Sequence, residues 1–284
     1  LAAVLTADGD RVMPEPVFQL RLPFAPWMDA MANRLPGLQP VAPGEWLLRD
    51  DAFSGQMAER DHQIAINLSR VRCSRPAGDP EILAAERELL TCVLEHLRHD
   101  PAYTQTASGI ARPDGVTIAP DGDPVVTASR LVQEDLLILR PEIDGHMFAS
   151  ALVTFPASWT LSEKIGRPLA AIHGTVERYT EALAARVENV LQHLRPEAPL
   201  WRANYLLYNN PALYQPRRES ERRPFDASGP IFVRVERQTL LRLPVTGAVV
   251  FSIHTSVVPR SALTPDQRDA LFSPANAGVL GGRG

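Results

Sequence analysis

Cysteine is almost missing: Cys73 and Cys92 are the only two in 284 residues. A pair of thiols builds no disulfide framework and no iron–sulfur cluster, so electrons for any redox reaction must come from another protein. Excess positive charge is missing as well. The formal net charge is −4, and a chain without a basic footprint is not expected to hold nucleic acid. No apolar run reaches the ~20 residues needed to cross a bilayer. The opening LAAVLTADGD has neither the basic start nor the long apolar stretch of a signal peptide, so a soluble, cytoplasmic protein without membrane contact is expected. No glycine-rich fingerprint joins a strand to a helix, and GVLGGRG at the end follows no strand. Walker loops, paired histidines on a helix with a glutamate, and nucleophile elbows are likewise missing. Nucleotide-driven chemistry and ordinary hydrolysis both lose ground.

What is present is a globular composition, 45% hydrophobic and 22% charged, enough for a sizeable core. Pro14, Pro16, Pro23, Pro26, Pro36, Pro40 and Pro43 make the opening extended and loop-like, with Phe24 and Trp27 to pin it down. A helix is predicted after Asp50 and Asp51, an acidic cap, with Phe53, Met57, Ile64 and Leu68 on one face. Asp79 and Pro80 open a second, carrying Ile82, Leu83, Leu89, Leu90, Val93, Leu94 and Leu97. His96 and His99 near its end suit the negative helix terminus; as metal ligands they lack a further ligand nearby. Residues 107–125 are rich in Gly, Pro and Asp and read as turns.

From residue 130 the pattern becomes that of strands. RLVQEDLLILRP and HMFASALVTFP, separated by Glu142, Asp144 and Gly145, predict a hairpin. WRANYLLYNN, IFVRVERQTLLRLP and GAVVFSIHTSVVP predict three more strands, the last two joined by a turn over Val245 to Gly247 and therefore antiparallel. Two strands, helices and three strands give an α+β fold: a mostly antiparallel five-stranded sheet with helices on one face. The expected divisions, within one structural unit, are an extended and helical segment over 1–125, a core over 126–260, and a C-terminal helix with a frayed tail over 261–284.

The stretch 158–194 organises this core. Val176, Tyr179, Leu183, Val187, Val190 and Leu194 fall on one helical stripe, and three residues before Val176 stands His173. An inward-facing imidazole there is either a core histidine bonded to a carbonyl or a metal ligand, and Gly174 is placed to break the helix just after it. Period-two alternation sorts the last strands. Val249, Phe251, Ile253, Thr255 and Val257 share a face, leaving Ser252 and His254 on the other, which makes His254 a weaker ligand candidate. Val233, Val235, Thr239, Leu241 and Leu243 share a face with Arg237, which marks either a buried ion pair or an anionic or polar ligand; Glu236 and Gln238 point the other way. Gln133, Glu134 and Asp135 interrupt an apolar strand and are candidate partners for Arg237. Arg217, Arg218, Arg222 and Arg223 in PRRESERRPF form a solvated loop or a docking patch for an acidic electron-transfer partner.

Several strings, RLVQEDLLIL, FPASWTLSEKIGRPLAAIH, RANY, and RVERQTLLRLP followed by GAVVFSIHT, together with PFAPWMDAMANRLPGLQPV and WLLRDDAF, resemble the haem-dependent oxidative N-demethylase alpha-subunit family over nearly the whole chain. The chain departs from that pattern at Thr175 and Glu177, where prolines usually follow the histidine, and at Tyr205, where tryptophan is usual. The resemblance implies a PAS-type fold holding b-type haem and oxidising a small secondary amine with O2. It implies His173 as the metal ligand, His173, Arg237 and Arg202 as cofactor-binding residues, and Arg237, Glu236 and Asn204 as catalytic ones. It also implies a separate reductase subunit with FMN and 2Fe-2S, drawing on NADPH. The alternatives are a haem-binding gas sensor or ligand-binding module without turnover, and a member that has lost haem and serves as a structural subunit.

Overall fold

The computed structural model of the chain describes residues 4–5, 11–12, 17–32, 36–143, 145–172 and 180–273. Its strands are β1 (Val4–Leu5), β2 (Arg11–Val12), β3 (Gln39–Pro40), β4 (Arg72–Ser74), β5 (Thr104–Thr106), β6 (Gly109–Ala111), β7 (Thr117–Ile118), β8 (Asp135–Glu142), β9 (Gly145–Leu152), β10 (Leu200–Tyr208), β11 (Phe232–Arg242) and β12 (Val249–Pro259). The helices are α1 (Phe53–Val71), α2 (Pro80–Leu97), α3 (Pro124–Ser129), α4 (Leu161–Lys164), α5 (Leu169–Ile172), α6 (Glu181–His193) and α7 (Pro265–Leu271).

The main sheet is antiparallel with strand order β3-β10-β11-β12-β8-β9-β4. The predicted strands are its five long members, and β8 and β9 form the expected hairpin with Glu142 opposite Gly145. Gly247, at φ +71, makes the tight turn from β11 to β12 that a side chain with a Cβ would strain. The sheet has seven strands rather than five. Its edges, β3 and β4, are two and three residues long, too short to show alternation.

Helices cover both faces, not one. Trp46, Leu47, α2 and α3 pack on the face carrying Leu136, Ile138, Leu152 and Val250. Segments α4, α5 and α6 pack on the face carrying Leu137, Leu139, Ala151, Val249 and Ile253. The physical cause is legible in β8, whose run Leu136 to Leu139 is buried without alternation, the mark of a strand enclosed on two sides.

Asp79 caps α2 as predicted, accepting from the Glu81 and Ile82 amides. The acidic cap expected for α1 is not formed: its N-cap is Ala52, which no side chain caps, and Asp50 accepts from the Ala52 amide (3.0 Å) one step earlier. The buried stripe of α1 is mixed, however: Gln56, Arg60 and Gln63 lie inside with Phe53 and Met57, while Leu68 is exposed and the helix kinks at Asn67. Polar groups enter because the sheet offers them partners. Arg60 meets Asp135 (2.8 Å), and Gln56 donates to the Thr255 carbonyl (2.9 Å). Residues 107–125, expected to be turns, instead hold β6, β7 and the first residues of α3, with β5 completing a small sheet. There Gly109 has φ +142, and a Cβ on it would stand 2.1 Å from the Ile118 carbonyl oxygen. The stretch 158–194 includes the short helices α4, α5 and α6, the last capped by Thr180, and buries Leu183, Leu191 and Leu194. His173, Gly174, Val176 and Tyr179 lie outside the described residues.

Candidate functional site

The two faces of β11 carry different chemistry. On the face toward α4, α5 and α6, Arg234, Glu236 and Gln238 follow one another at every second position. Across the ladder, Asn204 stands opposite Glu236 and Arg202 opposite Gln238. The result is a continuous polar row. Arg202 Nη1 donates to Gln238 Oε1 (3.1 Å), and Gln238 Nε2 donates to Glu236 Oε2 (3.4 Å). Glu236 Oε1 pairs with Arg234 (3.2 Å), which also donates to the Leu213 carbonyl (3.0 Å) and the Phe155 carbonyl. Thr255 completes the row on β12.

Charge along this row is not balanced. Arg234 is buried and has its carboxylate in Glu236. Arg202 is half-buried and has no carboxylate within 4.0 Å among the described residues. Burial lowers its pKa, with Glu236 acting against that from farther off. Beside it, Asn204 Oδ1 is buried with no hydrogen-bond partner. Burying a guanidinium without its counter-ion, and an amide oxygen without a donor, costs several kcal/mol unless a ligand supplies both, by order of magnitude about 1–3 kcal/mol for the oxygen alone. Apolar walls adjoin the row: Leu240, Ile253 and half-buried Phe251 from the sheet, with Trp159 and Ile172 from the covering segment.

Arg237 projects from the opposite face. Its guanidinium lies 4.9 Å from the Trp201 ring centroid and donates to Thr239 Oγ1 (3.2 Å) and the Trp46 carbonyl (3.4 Å). The structure therefore brings Arg202, Asn204 and Glu236 together and leaves Arg237 apart from them. Nor do Gln133, Glu134 and Asp135 serve as its ion-pair partners. Asp135 pairs with Arg60, Gln133 bonds Asp50, and Glu134 takes His254. His254 is spoken for at both nitrogens, Nδ1 to Glu134 and Nε2 to Asp50, each at 3.1 Å. His96 packs edge-on against Trp46, with ring centroids 5.7 Å apart. No group of three or more His, Cys, Asp or Glu side chains able to hold a metal ion occurs among the described residues. Arg234 and Gln238 complete the row but were not among the sequence-derived site residues. Their signal was the polar alternation Arg234, Glu236, Gln238 in an otherwise apolar strand.

The sequence matches the family described as haem-dependent oxidative N-demethylase, alpha subunit-like over residues 37–273. The chain belongs to this family. The donor set can be tested against haem, which asks for one axial side chain, flat apolar walls and cations for its propionates. Arg202 is a cation of that kind, and Leu240, Phe251, Ile253 and Trp159 are such walls. The axial candidate of the sequence, His173, lies outside the described residues and directly follows Ile172, which is buried in the same apolar cluster. The residues present fit the group. A single axial histidine also needs no cluster of metal ligands. No helix among the described residues is long and apolar enough to cross a membrane.

Proposed function

We propose that this chain is the haem-bearing subunit of an oxidase that removes a methyl group from a small secondary amine, yielding the demethylated amine and formaldehyde. The single observation that carries the reading is half-buried Arg202, without a carboxylate among the described residues, beside the unsatisfied oxygen of Asn204 in a family described as haem-dependent. The five long strands, numbered among themselves in chain order, lie side by side as 2-1-5-4-3 with the short helices between the second and third. That arrangement supports a PAS-type core.

When bound, b-type haem supplies the one-electron and O2 chemistry that oxidises the N-methyl carbon. The protein supplies position and field. His173 would hold the haem iron, and Arg202 would pair with one of the haem's propionates. Gln238 orients Arg202 and is itself held by Glu236, which Arg234 fixes in place. Asn204 Oδ1 accepts an N–H from the amine, since no donor among the described residues reaches it. Leu240, Ile253 and Trp159 keep water from the reacting carbon. Electrons come from a separate reductase carrying FMN and 2Fe-2S with NADPH as donor, the partner that the family resemblance implies; Cys73 and Cys92 are free thiols and too few for a cluster in this chain.

The test is spectroscopic first. Purified protein supplied with haem shows a Soret band, and His173→Ala abolishes it; a band that survives the substitution removes His173 from the proposal. Amine-dependent oxygen uptake and formaldehyde release with a suitable reductase then follow. A protein that holds haem but takes up no oxygen with any secondary amine is a ligand-binding module without turnover.

A further inference from the structure

A second constellation lies beyond the end of β10, in the loop that joins it to β11. A cleft of about 880 Å³ opens there, and Ser158, Tyr208, Tyr214, Arg217, Arg222 and Arg223 are among its lining residues. One of its arginines, Arg223, is held by side-chain contacts, and none has a carboxylate counter-ion among the described residues. The Arg223 guanidinium lies 4.9 Å from the Tyr208 ring centroid and donates to the Leu207 carbonyl. The Arg217 carbonyl accepts from Thr160 Oγ1 (2.7 Å), which ties that stretch to the start of α4. The loop itself is clamped by Asn209, whose side chain donates to the Asp226 and Pro230 carbonyls (2.8 Å each) and accepts from the Asp226 amide (2.7 Å).

Among the described residues no carboxylate comes within 4.0 Å of Arg217, Arg222 or Arg223. Glu221 and Asp226 also line the cleft, but each is turned to the loop's own groups, Glu221 to the Arg218 amide and Asp226 to Ser228. Arg217 Nε is buried with no hydrogen-bond partner. Arg223 is held below the usual arginine range by burial, and Arg217 adds to that by repulsion while Tyr208 opposes it. Two guanidiniums that repel each other beside a cavity, Arg223 fixed by the Tyr208 ring and the Leu207 carbonyl and Arg217 with a buried, unpartnered Nε, are a site whose missing component is an anion. Backbone strain sits at the same place. Ser158, with φ 61, is the sole non-glycine residue with positive φ among the described residues, and its hydroxyl lies 2.9 Å from the Tyr208 hydroxyl.

We propose that this cleft is an oxyanion site for a flat organic ligand, with Arg217, Arg222 and Arg223 taking its phosphate or carboxylate and Tyr214 and Phe225 taking its body. Planar guanidinium forks match either group in two-point fashion, and half-buried aromatic rings suit a flat body. Two sources of such a ligand exist: a propionate of the haem proposed above, or a separate small organic phosphate or carboxylate. The cleft is built the same way for either, so only the first source rests on the haem reading.

The experiment titrates inorganic pyrophosphate into the haem-free full chain and follows binding by calorimetry, then repeats it after haem loading. The haem-free protein binds pyrophosphate, and Arg217→Gln and Arg222→Gln each weaken binding about tenfold, the loss of one charge-assisted contact. Arg222 is exposed, so its variant tests the site without endangering the fold. If haem loading abolishes pyrophosphate binding and Arg217→Gln weakens haem affinity, the source is the propionate. If haem-loaded protein binds pyrophosphate unchanged, the ligand is a separate oxyanion. The site is refuted if haem-free protein shows no pyrophosphate binding, or if both variants bind it like the wild type. A protein that binds pyrophosphate but never takes up haem overturns the reading of the preceding subsection and leaves this one standing.

Discussion

Replacing His254 by glutamine tests how the sheet behind the candidate site is held. His254 is 4% exposed, yet both ring nitrogens lie 3.1 Å from carboxylate oxygens, Glu134 on one side and Asp50 on the other. Burial alone pushes its pKa down, but hydrogen bonds and charge from Asp50 and Glu134 outweigh that and lift it from 6.5 to about 9. Asp50 answers in kind: burial raises its pKa, but His254, Gln133 and Gln19 hold it lower, at about 2. The sign follows directly. The unfolded chain releases this proton near 6.5 and the folded chain keeps it to about 9, so the stabilisation is complete below 6.5 and is lost as pH rises through about 9. By order of magnitude it amounts to about 3 kcal/mol, a large share of the roughly 5–15 kcal/mol that holds a typical domain folded. Urea unfolding followed by tryptophan fluorescence at roughly pH 6 and roughly pH 10 measures it. The wild type loses about 3 kcal/mol across that interval. His254→Gln starts about 3–5 kcal/mol lower at neutral pH, because two carboxylates lose their shared cation, and declines far less with pH. Cys92, raised from 9.0 to about 11 by burial and by Glu88 and Glu95, also loses stabilisation as pH rises past 9, in the wild type and the variant alike, so the difference between their two curves carries the test. A wild-type stability that stays level through pH 9, or an equal decline in His254→Gln, would falsify the assignment of a buried imidazolium.

Two further predictions rest on buried charge. Asp135→Ala strands Arg60, which is fully enclosed, pairs with Asp135 at 2.8 Å and has Phe155 against its guanidinium, and also removes the acceptor for the Thr154 and Phe155 amides. The expected loss is about 3–5 kcal/mol, read as a fall in urea midpoint; a change below about 1 kcal/mol would show that the pair contributes little. Arg202→Met removes a cation without a carboxylate, so haem-free protein should unfold at an equal or higher temperature, while the Soret absorbance retained after gel filtration should fall. Reduced thermal stability with unchanged haem retention would make Arg202 a structural residue instead.

The side-chain alternation of a strand is local, and it correctly set Glu236 and Gln238 opposite Arg237 on β11, and Ser252 and His254 opposite Phe251 and Ile253 on β12; that Arg202 and Asn204 share the face of Glu236, and His254 that of Arg237, is decided by the register between strands. The N-cap at Asp79 and the hairpin at Gly145 were legible for the same reason, since their geometry closes within a few residues. The axial role of His173 came from the resemblance alone, and that residue lies outside the described part of the chain.

By itself the sequence determined the five long strands, the alternation within β11 and β12, and the family, because period, turn chemistry and motif order are carried by neighbours along the chain. Only the tertiary structure decided which charges meet. Asp135 finds Arg60 from α1 and Glu134 finds His254 from β12, partners separated by 75 and 120 positions. No local pattern encodes such a choice: a buried charge is neutralised by whichever opposite group the packed chain carries within a few ångströms. Arg237, which the pattern marked as demanding a partner, was met by the Trp201 ring and the Trp46 carbonyl, while among the described residues neither Arg202 nor Arg217 meets a carboxylate.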